Sequence, residues 1–179
     1  MAENSRTFYD ILDYAKRNKE GGTAIVLDYE KAFNTLSHAY FEEVLNFFGF
    51  GENFIKWIRI CLKDFFACTT LADNISMSFL VGRGAQQGDP LSPPIFAPAI
   101  EIFSIQIRAS QEALPYRMGN QLIKLLLYAD DSIIITQQDE GSVRFILKAV
   151  GEFFGLSGLK IQVQKCKIFN FGVPGDVPK

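Results

Sequence analysis

The sequence has no excess of positive charge. Eighteen Lys and Arg stand against 20 Asp and Glu, a formal net charge of -2 over 179 residues. That excludes the strong overall basic field of a self-sufficient nucleic-acid binder, though not a local basic groove. Cysteine is scarce, and Cys61, Cys68 and Cys166 form an odd, scattered set. With no C-x-x-C pair and no His/Cys cluster, zinc and a secreted disulfide framework find no support, and the three read as reduced core thiols. The single histidine, His38, reads as structural and the single tryptophan, Trp57, as packing. No Ser-His-Asp set can be built around one histidine. Long apolar runs are also missing. The most apolar stretch, 93 to 107, is interrupted by Glu101 and is too short to span a bilayer. The opening MAENSRTFYD lacks the apolar centre of a signal peptide. The expectation is a soluble intracellular chain, cytoplasmic or nuclear, with no membrane partner.

What is present is ordinary globular material. Hydrophobic residues make up 48% and charged residues 21%, with 17 phenylalanines to build a core; this argues against disorder. No repeat or linker interrupts the chain, which reads as one domain. Phe8, Ile11, Leu12 and Ala15 recur at helical spacing. Residues 23 to 27 form a short apolar, β-branched run that ends at Asp28, as a buried strand would. Tyr40, Phe41, Val44, Leu45 and Phe48 mark a helix closed by Gly49; Phe54, Ile55, Ile58 and Leu62 mark another. Residues 69 to 71 and 77 to 81 read as two strands around the turn 72 to 74. Ser92 is a candidate cap for a helix carrying Ile95, Phe96, Ala99, Ile100, Phe103 and Ile107. Pro98 lies inside that helix, where it removes a hydrogen bond, so a kink or a delayed start is expected. The runs 122 to 128 and 133 to 136 are separated only by Ala-Asp-Asp-Ser, which is hairpin spacing. Val143, Ile146, Leu147, Val150 and Phe154 mark a last helix with Gly155 as its stop, and 161 to 171 returns to strand composition. This order predicts an α+β fold, an antiparallel sheet with helices packed on one face and an acidic β-hairpin.

Three acids stand out by position: Asp28 at a strand end, Asp130 and Asp131 at a hairpin tip. If the sheet sets these strands side by side, the carboxylates repel unless cations neutralise them. Magnesium suits such a site, because it takes oxygen ligands and completes its shell with water and phosphate. Two such ions about 4 Å apart can promote an in-line phosphoryl displacement. Taken alone, Asp130-Asp131 more often marks a solvated turn.

The surrounding motifs change that balance. Leu27-Asp28-Tyr29-Glu30-Lys31-Ala32-Phe33 resembles the first metal-binding motif of reverse transcriptases. Arg83-Gly84-Ala85-Gln86-Gln87-Gly88-Asp89-Pro90-Leu91-Ser92-Pro93 resembles their Gln-Gly-Asp-Pro-Leu-Ser-Pro motif, and Tyr128-Ala129-Asp130-Asp131 their second acidic motif. Ser157-Gly158-Leu159-Lys160-Ile161, followed by Lys165, is similar to the next motif of the polymerase palm. The four occur in family order over roughly 23 to 172, in phrasing most similar to non-LTR (LINE-type) retrotransposon polymerases. A Tyr-x-Asp-Asp string alone is weak; the ordered set is specific.

The resemblance implies an RNA-directed DNA polymerase that adds deoxynucleotides from their triphosphates to the 3′-hydroxyl of a DNA primer on an RNA template. Asp28, Asp130 and Asp131 would be its catalytic acids. Two Mg2+ ions, replaceable by Mn2+, would be held chiefly by Asp28 and Asp130. Tyr29 would contribute a backbone carbonyl at the nucleotide, with core packing an equal reading for its side chain. Phe33 falls where the family has its sugar gate, an aromatic ring that would clash with a ribose 2′-hydroxyl. That favours deoxynucleotides and argues against an RNA-making polymerase. Gln87 and Gly88 match nucleotide-contacting positions. Lys31 would face the triphosphate, although an exposed lysine after a strand is as often only solvated. Arg83 and Tyr128 are candidate nucleic-acid contacts, and Lys165 a candidate proton donor to departing pyrophosphate.

The sequence departs from the family at Asn34, where Asp is usual, a change expected to weaken the site rather than abolish it. Gln86 and Gln162 also replace usual residues. The family pattern implies a remnant of the fingers over 1–22, a palm over 23–172 and a short tail over 173–179 without a thumb, from a longer parent protein. A truncated, non-catalytic remnant acting only as a folded or RNA-contacting module is the alternative.

Overall fold

The computed structural model describes residues 2–62, 66–72, 74–85, 92–128 and 131–172. Its centre is a four-stranded antiparallel sheet built from β1 (Gly22–Asp28), β8 (Leu125–Tyr128), β9 (Asp131–Gln137) and β10 (Lys167–Phe171), in the order β10-β1-β9-β8. Because side chains alternate along a strand, each strand serves two faces. Ile25, Leu27, Ile134 and the half-buried Leu125 and Leu127 point into one apolar cluster; Ala24, Ile135 and Phe171 belong to the other. Both faces are covered for much of their length, which explains why β1 reads as a continuous apolar run.

The larger helical layer covers the first face. It consists of α3 (His38–Phe47), α5 (Ser92–Ala109) and α6 (Glu140–Ser157). Phe103 is fully buried and stacks on Phe153 with ring centroids 4.9 Å apart. The other face is covered by α1 (Ala2–Asn18), through Ile11 and Ala15, and by the small hairpin β6 (Tyr116–Met118) with β7 (Gln121–Ile123). Among the described residues that second cluster extends along the sheet only to Ile133 and Leu126. The next row on this face, toward Asp28, lies outside that cluster as described.

Several local expectations need correction. The helix expected to stop at Gly155 runs on to Ser157 and ends at Gly158, whose φ of 72° supplies the left-handed cap. Gly155 faces open space, so only its intrinsic helix cost of about 1 kcal/mol opposes it. Leu147 is exposed; the buried face of α6 is Ser142, Ile146, Ala149, Val150, Phe153 and Ser157. Helix α5 starts at Ser92, within the helix rather than before it, so Pro98 causes no delayed start. Pro94 and Ala97 are exposed and Pro98 half-exposed, so water can reach the carbonyl that Pro98 cannot bond. Residues 66 to 80 form a nested ribbon rather than one simple hairpin. In it β2 (Phe66–Ala67) pairs with β5 (Phe79–Leu80), and β3 (Thr70–Leu71) with β4 (Asn74–Ile75). Asn74, placed in the turn by the sequence, pairs in a strand; Asp73 lies outside the described residues. The apolar run 122 to 128 is split at Lys124 between β7 and β8.

Trp57 is not a packing residue: it is 67% exposed, because α4 (Glu52–Leu62) buries the opposite side through Ile55. Cys61 and Cys68 are likewise exposed rather than core thiols, and only Cys166 is partly buried. His38 does act structurally, its Nε2 lying 2.7 Å from the carbonyl oxygen of Gly84. Among the described residues no helix is long and apolar enough to cross a membrane.

The cap of α6 gives a pH-dependent prediction. The Asp139 carboxylate accepts the Ser142 backbone N–H at 2.7 Å, and that bond holds its pKa below the ordinary 3.8. A depressed folded pKa means that this stabilisation is present above the ordinary carboxylate range. It is lost as pH falls through the depressed value. Asn caps a helix without titrating. Asp139→Asn should therefore keep neutral-pH stability and show a shallower fall in urea midpoint below about pH 4. Identical acid profiles for the two proteins would show that this carboxylate does not cap in solution.

Candidate active site

The site begins with strand register. In the β1–β9 pairing Asp28 is the Cα partner of Asp131, and in the β8–β9 pairing Asp131 is the partner of Tyr128. Three of the sequence-selected residues thus form one row across three adjacent strands. Directly paired Cα atoms in an antiparallel sheet lie about 4.5–5.5 Å apart. By strand alternation the row falls on the sheet face served by α1, one step beyond Ile133 and Leu126. In the hairpin carrying it, Asp131 and Ser132 already lie in β9, and Ala129 is not among the described residues. Asp130 and the side chains of Tyr128 and Asp131 lie outside the described residues.

Asp28 is gripped mainly through its backbone. The chain leaving α6 folds back beside the end of β1, where Tyr29 bridges to Ile161. The Gln162 N–H donates to the Asp28 carbonyl at 2.9 Å, and the Glu30 N–H to the Lys160 carbonyl at 2.8 Å. This pattern turns the carbonyl of Tyr29 away from residue 161, toward the β8–β9 side. The Asp28 N–H meets the Cys166 sulfur at 3.5 Å. A turn closed by the Lys165 and Cys166 N–H groups on the Gln162 carbonyl brings Lys165 Nζ to 3.8 Å from Asp28 Oδ2. Lys165 is 60% exposed, so this is a weak pair. Sequence reasoning picked out Lys165 but missed Cys166, whose only signal was its place beside Lys165 in a returning strand.

A second group gathers around Phe33. Lys31 takes a left-handed backbone conformation, φ 47°, ahead of the short helix α2 (Ala32–Thr35), and is exposed. The half-buried Phe33 ring packs on Phe96 of α5, centroids 5.3 Å apart. Residues 83 to 85 lie along this segment as a strap. Gly84 N–H donates to the Leu36 carbonyl at 2.8 Å and Ala85 N–H to the Phe33 carbonyl at 2.7 Å. Arg83 forms a bridge with Ser37 and is exposed. Gln87 and Gly88, which follow the strap in sequence, lie outside the described residues. Asn34 is exposed and its N–H closes a turn on the Lys31 carbonyl at 2.7 Å.

The Tyr29 side chain is buried, not at a surface. It is 5% exposed, lies edge-on to Phe96 and Phe154, and its hydroxyl sits 2.9 Å from Ser132 Oγ. Burial pushes its pKa well above the usual phenol range, so the hydroxyl keeps its proton. Among the described residues no three of His, Cys, Asp and Glu group as a metal site; of the three acids only the Asp28 side chain is described. The donor chemistry nonetheless fits a hard cation. Asp28 presents a carboxylate oxygen to a positively charged group, while the nearby sulfur is engaged with the main chain.

A four-stranded antiparallel sheet with acids at a strand end and a facing hairpin defines the class as a polymerase palm. Solved structures of telomerase share the fold. One from Candida tropicalis with a fragment of telomeric RNA superposes with a TM-score of 0.70 at 15% identity, covering 99% of this chain and 30% of that one. One from Candida albicans gives 0.64 at 14% identity. The family model for "Reverse transcriptase (RNA-dependent DNA polymerase)" matches residues 1–175, and the chain belongs to that family. Similar curated proteins include the Pol polyprotein of the type-2 retrotransposable element R2DM of Drosophila melanogaster. It is 28% identical over 151 residues, covering 83% of this chain and 14% of the relative. An uncharacterized 149 kDa protein of transposon TX1 from Xenopus laevis is 29% identical over 128 residues, covering 72% and 10%. The chain thus spans about a seventh or less of the length of these two relatives.

The strap supplies a test of this local geometry. Gly84 has φ +67°, and a Cβ there would fall 2.3 Å from the Phe33 carbonyl oxygen. Gly84→Ala should lower stability by about 1–3 kcal/mol in urea denaturation. A variant as stable as the parent would show that the strap is not held against Phe33 as described.

Proposed function

We propose that this chain forms the palm of a reverse transcriptase, over residues 23–172, and transfers deoxynucleotides to a primer end on an RNA template. The observation that carries the reading is the register of Asp28 opposite Asp131 in a chain of this family. In this reading Asp28, Asp130 and Asp131 would hold two Mg2+ ions, with Mn2+ a substitute, and the Tyr29 carbonyl would add a ligand. Bound divalent cations supply positive charge for the attacking oxygen and the triphosphate. The primer 3′-hydroxyl attacks the α-phosphate, a new O–P bond forms, and the bond to the bridging oxygen of pyrophosphate breaks. The hydroxyl gives its proton to water, and the Lys165 ammonium gives one to the departing pyrophosphate and is later reprotonated from water. Its place 3.8 Å from Asp28 supports that role. Lys31, Gln87 and Gly88 contact the incoming nucleotide, and Arg83 and Tyr128 the nucleic acid. The work is done inside the cell, in cytoplasm or nucleus, by a longer parent protein.

Two measurements test this. Mg2+-dependent extension of a DNA primer on an RNA template should fall by about two orders of magnitude or more in Asp28→Asn and in Asp130→Asn. Undiminished extension or Mn2+ binding in those variants would overturn the assignment. Phe33, anchored on Phe96, is the sugar gate in this reading. Phe33→Val should raise ribonucleotide incorporation at least about tenfold while deoxynucleotide use persists. An unchanged preference with simple loss of stability would return Phe33 to the core.

A further inference from the structure

We propose that Tyr29 and Ser132 are positioning residues, a buried hydroxyl pair that fixes the spacing of the two strand ends bearing the acids. The inference rests on the active-site reading above. Among the described residues, the β1–β9 ladder makes its last pairing at Asp28 and Asp131. One step back, Leu27 pairs with Ser132 on the opposite, core-facing side of the sheet. Tyr29, one step beyond the last pair, reaches diagonally back across the strands, and its hydroxyl lies 2.9 Å from Ser132 Oγ. Aromatic side chains can span such diagonal positions. The bond therefore ties the strands together on the face opposite the acid row, between Ser132 inside the ladder and Tyr29 just beyond the last described pair.

The surroundings make this tie stiff. Ser132 is fully buried and Tyr29 is 5% exposed. The ring is held edge-on by Phe96 and Phe154 at 6.0 and 5.8 Å. A purely apolar core would not need a hydroxyl at either place. Two hydroxyls add direction: one donates to the other in a place buried from bulk solvent. Phe96 also carries the Phe33 ring, so the same support lies under both the acid row and the Phe33 segment.

The test measures Mn2+ binding by electron paramagnetic resonance, alongside thermal unfolding, in the 179-residue chain. Tyr29→Phe and Ser132→Ala each leave one buried hydroxyl unpaired and should lower Tm. Each should also weaken Mn2+ binding about three- to tenfold. The double variant leaves no unpaired hydroxyl, so its Tm should recover toward the parent while its Mn2+ affinity stays low. Recovery of both together, or single variants with parental Mn2+ affinity, would reduce the pair to core packing and overturn the proposal. Asp28→Asn serves as the control. If it abolishes Mn2+ binding, the result in the hydroxyl variants speaks to the positioning role alone. If it leaves binding intact, the active-site reading fails and the proposal with it.

Discussion

Everything at this site depends on the register of β1 against β9. Alternation along a strand means that a slip of one residue turns every side chain to the other face. Here such a slip would turn Asp28 toward the cluster built on Leu27 and Ile134, and expose Leu27 in its place. Burying an unpaired carboxylate and exposing a leucine oppose the slip together. The apolar pattern of the strand thus specifies where the acid goes. The placement of Asp28 opposite Asp131 follows from burying Ile25 and Leu27, not from any attraction between the acids themselves.

The second constraint is what covers the sheet. Both faces are packed over most of their length, one by α3, α5 and α6, the other by α1 and the β6–β7 hairpin. Among the described residues the α1 side stops at Ile133 and Leu126. The next row on that face is Asp28, Asp131 and Tyr128. Core formation and the proposed site use the same strands, divided along their length: the described clusters seal one end, and the acid row stands at the other.

The sequence made the outline of this arrangement legible because its signals are local. The apolar run ending at Asp28, the short spacer before Ile133 and the helical spacing of Phe8 to Ala15 each reflect one element's own burial. What it left illegible depends on contacts distant in sequence. Nothing in the periodicity of α4 says that Trp57 faces solvent, since that depends on which neighbour buries Ile55. Gly155 and Gly158 are equally plausible stops until the chain's return past Ser37 selects Gly158. The Tyr29–Ser132 bond joins residues 103 apart, and the Cys166–Asp28 contact residues 138 apart. Neither position has a residue type that announces the pairing. The motif match singled out the acids and the family, and it left core packing as an equal reading for the Tyr29 side chain. That side chain proves to be part of the core beneath the acids.

The way Asp28 is held bears on what it can do. A carboxylate fixed by backbone N–H donors or a buried arginine would have its lone pairs already committed, and a cation would have to displace strong partners. Asp28 is held instead by its main chain: through the ladder to β9, the Gln162 N–H on its carbonyl and the Cys166 sulfur at its own N–H. Its carboxylate is engaged, among the described side chains, by the exposed ammonium of Lys165 alone. That partner is flexible, well hydrated and easily exchanged. The backbone supplies the precision and the side chain keeps its binding capacity. In the proposed reaction, where Asp28 takes up and releases charged ligands, this division keeps its carboxylate free for them. It also explains how a chain of slightly negative net charge can keep an acid available: the neutralising charge comes from a displaceable lysine, and in the proposed reaction from the ligand itself.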